Sequence, residues 1–338
     1  MRSVITGVSH FVPERVVTND SLATKMETSD QWITERTGIR ERRFVEEGVS
    51  ASRLGVLASQ RLLSNLNIDV ATIDMVIAAT LSPDYYFPGI GVLIQRELGL
   101  GHVPALDIRA QCSGLVYGLS VVDGYIRSGQ ARRVLLVCSE VQSPVLDLTD
   151  RGREMAVLFG DGAGALLIDA HEGEAARANN HHTGIIDSLL GSDGSGAEVL
   201  TLKYPGTACH GFVTQELLDR AAFHPSMDGK TVFKHAVHHL VETAQKILTR
   251  NGISPSDLAL VIPHQANLRI NEMVRERLGL PAERVFNNIE KYGNTTSATI
   301  PICMSEASAA GRLRSGDLVL TLAFGAGFTW GANLIRWS

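Results

Sequence analysis

The 338-residue sequence predicts a mixed α/β fold assembled from two copies of one β/α unit. Three pairs of segments point to it. Residues 50–80 carry an amphipathic helix pattern (Leu54, Leu57, Ala58, Leu62), then Asn67-Ile68 and the strand-like IDMVIAAT. Residues 231–265 repeat those events: Phe233, Ala236, Val237, Leu240, Ala244, Ile247 and Leu248 mark a helix face, and Gly252-Ile253 and LALVIPHQ follow. Ile68 aligns with Ile253 and Val76 with Val261 at one common offset. VLFGDGAGALLI (157–168) resembles LAFGAGFTWGANLI (322–335), each an apolar strand, a glycine-rich turn and a second strand. Between them, CSGLVYGLSVVDGYIRSG (112–129) corresponds in position to the helical SATIPICMSEASAAGRLRSG (297–316). The halves are therefore 1–170 and 171–338, with no flexible linker between them.

The N-terminal MRSVITGVSHFVP alternates like a strand and lacks the apolar core of a secretory signal. Segments 171–183 and 203–230 are rich in Gly, Pro, His and Asn and interrupt the repeat, so they read as surface loops or a lid. A hydrophobic fraction of 44% with 20% charged residues is that of a globular protein. No run is long and apolar enough to cross a bilayer. A net charge of −5 and a pI near 6.1 exclude a general nucleic-acid binder, which would show a basic stripe. Cys112, Cys138, Cys209 and Cys303 have neither disulfide-scaffold nor CxxC spacing, which predicts a reducing, cytoplasmic setting.

Cys112 follows the strand-like VPALDI and opens a helix whose apolar face is Leu115, Val116, Leu119, Val122 and Ile126. That start of a helix predicts a thiolate-favouring site, as a nucleophilic cysteine requires. Cys138 inside VLLVC and Cys303 on a helix face read as core residues, and Cys209 as a loop residue. His264 lies in PHQAN, a polar strand tip. Asn294 lies in KYGNTTSAT, just before the helix that corresponds to the one after Cys112, and the repeat gives these three turns a reason to meet. His235 and His239 stand one helical turn apart with His238 between them. Such a pair can bind a metal. Opposite the apolar stripe, and without an acidic or cysteine neighbour at ligand spacing, the set reads as a solvated polar face, and no metal site is expected.

TSDQWITERTGIRERR (28–43), the Cys112 segment, TDRGRE (149–154), FGDGAG (159–164), PHQANLRI (263–270), YGNTTSAT (292–299) and FGAGFTWG (324–331) together closely resemble the β-ketoacyl-acyl-carrier-protein synthase III family. The resemblance implies a five-layer αβαβα thiolase fold and a homodimer. It implies that Cys112 takes an acyl group from acyl-CoA, and that His264 and Asn294 stabilise the enolate formed when malonyl-ACP loses carbon dioxide, initiating fatty-acid synthesis. Chain-elongating relatives use two histidines, so Asn294 favours the type III branch. The amides of Cys112 and Ala326 would form an oxyanion hole. Phe324 and Leu200 would shape the acyl pocket, into which Phe87 would reach from the neighbouring protomer. Trp32 and Arg151 would sandwich the adenine, with Thr28, Arg36 and Asn267 as further coenzyme A contacts. Arg269, assisted by Lys234 and Arg277, would meet the acidic carrier protein. No permanently bound cofactor is implied, because cysteine and thioester supply the covalent chemistry.

Arg109-Ala110-Gln111 before the cysteine, GNTTSAT for the commoner GNTSAAS, and Ala326 for a glycine depart from the family pattern. The stretch from Thr80 to Leu119 also resembles the alkylquinolone-pathway condensing enzyme, whose acyl donor is aromatic. A longer or aromatic acyl-CoA in a specialised pathway, or an acyltransferase without decarboxylation, are the alternatives.

Overall fold

A computed structural model describes residues 1–172, 183–208 and 212–338. Cys209 and much of the 171–183 segment lie outside the described residues. Nine principal strands form two sheets. The first contains β1 (Arg2–Phe11), β2 (Met75–Ala79), β3 (Ala105–Ile108), β4 (Arg133–Glu140) and β5 (Gly162–His171), in the order β1-β5-β4-β2-β3. The second contains β6 (Gly184–Ser192), β7 (Leu260–Pro263), β8 (Leu318–Gly325) and β9 (Thr329–Arg336), in the order β7-β8-β9-β6. Both follow one pattern. β1 and β6 are edge strands antiparallel to β5 and β9; these are antiparallel to β4 and β8, which run parallel to β2 and β7. β3 then pairs in parallel with β2, and a Val261–Val285 bridge occupies the matching place beside β7. The repeat read from the sequence is thus a repeat of topology.

The principal helices are α1 (Asp30–Thr37), α2 (Ala51–Leu66), α3 (Ile90–Leu98), α4 (Gly114–Arg127), α5 (Gly229–Arg250), α6 (Leu268–Arg277) and α7 (Thr299–Ala309). α4 and α7 lie between the sheets in one core that holds Leu115, Leu119, Val122, Ile300, Ile302 and Met304. α7 buries Thr299 through Met304 without interruption, as expected of a helix with no solvent face. Each large aliphatic side chain fully buried there contributes about 1.5–3 kcal/mol. α2 and α3 cover the outer face of the first sheet, and α5 and α6 that of the second. The layers are α, β, α, β, α. Within 203–230, the described residues include a helical turn at Gln215–Asp219 and a two-residue strand, Ser226–Met227, paired with Leu200–Thr201, so that segment is more ordered than a plain loop.

Each central helix is entered through a 3-10 turn, Gln111–Ser113 before α4 and Thr296–Ala298 before α7. Gln111 (φ 43°) and Thr296 (φ 48°) both adopt the left-handed region, a strained conformation for residues with side chains. Cys112 and Ser297 follow them at equivalent places. The turns press together: a Cβ on Gly114 would come within 2.8 Å of the Ser297 Cβ and 3.0 Å of the Ala79 Cβ, so only glycine fits.

Candidate active site

The 3-10 turn places Cys112 at the floor of a cavity of ≈ 250 Å³, which His264, Asn294, Phe324 and Gly325 also line. The three residues singled out as nucleophile and partners, drawn from both halves of the chain, therefore meet. Gly325, at the end of β8, lies against the nucleophile: a Cβ there would stand 3.0 Å from the Cys112 Cβ and 3.1 Å from its amide nitrogen. Backbone is brought to Cys112 at that point because there is no side chain to hold it off. The signal in the sequence is the first glycine of FGAG, which precedes Ala326.

The thiolate expectation for Cys112 is corrected. The cysteine sits in the turn before α4 rather than in its first turn, is only 7% exposed, and has its thiol pushed up to about 12, mainly by burial and further by Glu140. Loss of hydration outweighs the helix terminus, because desolvation penalises the charged form directly. Cys112 at rest is a thiol. Glu140, fully buried, accepts from Ser297 Oγ (2.6 Å), Ser82 Oγ (2.8 Å) and the Leu81 amide (3.1 Å). Burial still raises its carboxyl above the usual range.

His264 follows β7 and is 4% exposed. Burial lowers its pKa to about 3, so the ring is neutral at physiological pH. Its Nδ1 lies 2.7 Å from Thr299 Oγ1, and that hydroxyl lies 3.0 Å from the Thr296 carbonyl oxygen. A hydroxyl has a single proton. When Thr299 donates to Thr296, Nδ1 must carry the imidazole proton and Nε2 is a bare acceptor; when Thr299 turns to donate to Nδ1, Nε2 becomes the donor. Nε2 itself is buried with no hydrogen-bond partner. Asn294 accepts the Thr296 amide on Oδ1 (2.8 Å), which leaves Nδ2 as its donor atom.

Toward the mouth, the cavity is lined by Trp32, Arg36 and Asn267, and its apolar wall by Leu200, Met227, Val232, Phe233, Ala236 and Leu240. Leu200 and Phe324 both line this cavity. Two guanidinium groups lie over the Trp32 ring, Arg36 at 4.4 Å and Arg153 at 5.2 Å. Arg151, expected to face Trp32 across the adenine, forms an ion pair with Asp147 at 2.6 Å. Arg153 belongs to the same TDRGRE motif, two residues further on. Asn267 caps α6 and donates to the Arg36 carbonyl (3.0 Å), joining α1 to α6. The Thr28 hydroxyl is buried without a partner. Arg269, Lys234 and Arg277 are exposed, and Arg269 also lies 5.9 Å over Phe233 at the cavity wall. Phe87 is 81% exposed and stands outside the cavity of its own protomer. Cys138 and Cys303 are buried, as core residues should be.

The reading of the α5 histidines also changes. Glu242, one turn beyond His238, provides the acidic neighbour at ligand spacing that the sequence reading found missing. His239 does not face solvent alone but stacks on Trp330 at 3.9 Å between centroids. A helix pattern shows which residues share a face; it does not show what the facing sheet supplies.

With this geometry in place, comparison with known proteins is informative. Residues 106–194 match the family model of 3-oxoacyl-[acyl-carrier-protein] synthase III and residues 248–337 that of its C-terminal region. The chain is 41% identical over 337 residues to a β-ketoacyl-[acyl-carrier-protein] synthase III of Rhodobacter capsulatus, covering 100% of this chain and 99% of that one. Among solved structures it is similar to 3-oxoacyl-[acyl-carrier-protein] synthase III from Aquifex aeolicus (TM-score 0.88, 37% identity, covering 99% and 100% of the two chains). It is also similar to the priming β-ketosynthase of the R1128 polyketide pathway (TM-score 0.88, 33% identity, covering 100% and 97%).

Proposed function

The chain belongs to the β-ketoacyl-acyl-carrier-protein synthase III family, and from that premise we propose how its residues carry out the condensation. The observation that carries the reading is the convergence of Cys112, His264 and Asn294 on one apolar cavity. In the first half-reaction the bare Nε2 of His264 takes the Cys112 proton as sulfur attacks the acyl-CoA carbonyl. Burial keeps both groups uncharged at rest, so the proton leaves sulfur only as the carbon–sulfur bond forms. The tetrahedral intermediate expels coenzyme A as its thiolate, which receives that proton, and the acyl group remains on Cys112. The amides of Cys112 and Ala326 would hold the oxyanion.

Between the half-reactions the Nδ1 proton of His264 passes to solvent and Nε2 takes one from solvent, with Thr299 turning to donate to Nδ1; Nε2–H of His264 and Nδ2–H of Asn294 then donate to the thioester carbonyl of malonyl-ACP. The carbon–carbon bond to the carboxylate breaks, carbon dioxide leaves, and the electron pair becomes an enolate stabilised at the oxygen those donors face. Its α-carbon attacks the acyl carbonyl. Collapse of that intermediate releases β-ketoacyl-ACP and returns Cys112. The chemistry draws its activation from the thioesters, so the reading requires no bound cofactor.

Trp32 with Arg36 and Arg153 offers a stacking and cationic surface for the adenine ring at the mouth, with Thr28, Asn267 and Arg151 as further coenzyme A contacts. Arg269, Lys234 and Arg277 supply positive charge for an acidic carrier protein. A homodimer is supported by the exposed Tyr85, Tyr86 and Phe87 (58%, 63% and 81%) beside β3, a strand open on one edge of its sheet; Phe87 would enter the partner's acyl pocket. The likeness to a polyketide priming enzyme keeps a second reading in view, in which the donor is a longer or aromatic acyl-CoA.

Intact-protein mass spectrometry with acetyl, branched, medium-chain and anthraniloyl-CoA tests both. Wild type gains the acyl mass and Cys112→Ala does not; the preferred donor separates the two readings. Absence of an adduct with every donor, or an equal adduct on the variant, overturns the assignment of Cys112.

A further inference from the structure

Outside the condensing site, α5 carries a second cluster of ligating side chains, of which His239 packs against Trp330 of β9. Donor atoms of His238, His239 and Glu242 all lie within 4.8 Å of one another, and among the described residues no other set of three does so. The spacing is that of one helix face, since Glu242 follows His238 by one turn and His239 by three residues. The His239 ring is held in place: it stacks on Trp330 (3.9 Å, 14° between planes), lies parallel to Phe324 at 6.0 Å and meets His235 at 5.8 Å. Its Nδ1 is buried and has no hydrogen-bond partner, an unusual state for an imidazole nitrogen. A fixed ring with an unused nitrogen, beside a second imidazole and a carboxylate, is a preorganised donor set.

We propose that His238, His239 and Glu242 form a three-ligand site for a divalent cation of the zinc class, with water in the fourth position. Two imidazoles and one carboxylate suit zinc or cobalt rather than magnesium or calcium, which prefer oxygen ligands. Ligands at about 2.0–2.2 Å from a tetrahedral ion stand roughly 3.3–3.5 Å apart, so separations of up to 4.8 Å must close by up to about 1.5 Å. His238 is exposed and the Glu242 side chain is 43% exposed, so both can rotate toward the clamped His239. The competitor is Lys246, whose Nζ holds Glu242 Oε1 at 2.9 Å. Asp193, whose carboxyl is lowered by its bonds from Ser195 and by the charges of His235 and His239, adds negative potential near the site. None of the three ligands lines the condensing cavity, which they adjoin through the Phe324 ring and through Ala236 and Leu240 of the same helix.

The test is calorimetric titration of the whole protein with zinc chloride, and spectroscopic titration with cobalt chloride. Wild type should bind one equivalent, Glu242→Gln and His238→Gln should bind at least about tenfold more weakly, and Lys246→Ala should bind more tightly because it releases the carboxylate. Cobalt should quench Trp330 fluorescence without the charge-transfer band of a thiolate ligand. Equal affinity in wild type and both ligand variants, tighter binding absent in Lys246→Ala, or a thiolate band showing that Cys112 takes the metal, each overturns the proposal.

Discussion

At the scale of single residues, burial governs the chemistry more than local sequence does. His264 is held neutral down to a pKa of about 3 by desolvation alone. The unfolded chain takes up a proton on this ring below about pH 6.5, whereas the folded one does not until far lower pH. The stability from keeping it neutral is therefore complete above 6.5 and is lost as pH falls toward 3. His10 is lowered in the same direction, chiefly by burial. Urea denaturation should show wild type losing roughly 2 kcal/mol more between pH 7.5 and 5 than His264→Gln; identical losses would remove the neutral-imidazole premise. Two further variants separate the half-reactions. Asn294→Ala should leave Cys112 acylation near wild type while malonyl decarboxylation falls about 10²–10³-fold, the loss typical of one oxyanion donor. Thr299→Val, unable to hydrogen-bond Nδ1 in either tautomer, should slow both steps, and normal acylation in that variant would refute a role for Thr299 in holding the tautomer.

At the scale of elements, the site is made by ends: the 3-10 turn before α4, the tip of β7, the 3-10 turn before α7 and the turn after β8. Central strands bury their backbone and leave only their ends free to present groups. The approach that touches Cys112 itself is that of Gly325. Gly325→Ala introduces a methyl 3.0–3.1 Å from the nucleophile's own backbone and Cβ, so the turn or the cysteine must move by several tenths of an ångström. Acylation should fall about tenfold or more, since misplacement of reacting groups costs that much, while circular dichroism stays that of wild type. Full activity would mean that this approach does not position the thiol.

For the whole molecule, five layers around two central helices bring residues nearly two hundred positions apart into one cavity. That architecture leaves β3 and the Tyr85–Phe87 loop uncovered on one side. Sedimentation of wild type should give a dimer, and Phe87→Glu should shift it toward monomer by placing a charge in an apolar contact. A wild type that stays monomeric at micromolar concentration would contradict the proposal. On α5, the His238–His239–Glu242 group is a property of the molecule and not of the helix, because Trp330 and Phe324 of the second sheet fix His239.

The chain's own order of residues determined the repeat, the strand–helix alternation and the three turns that hold Cys112, His264 and Asn294. Those depend on periodicity and glycine placement, which are local and written in sequence. Tertiary structure decided what each group does there. Cys112 opens a helix in the sequence, yet its thiol stays protonated because the sheets and Glu140 enclose it. Arg153 rather than Arg151 lies over Trp32 because the direction of a short turn, not motif membership, aims a guanidinium. His239 looks solvated along its helix, yet it rests on an indole that arrives from β9, ninety-one positions later in the chain. Desolvation, aim and stacking each depend on neighbours distant in sequence, and no local pattern records them.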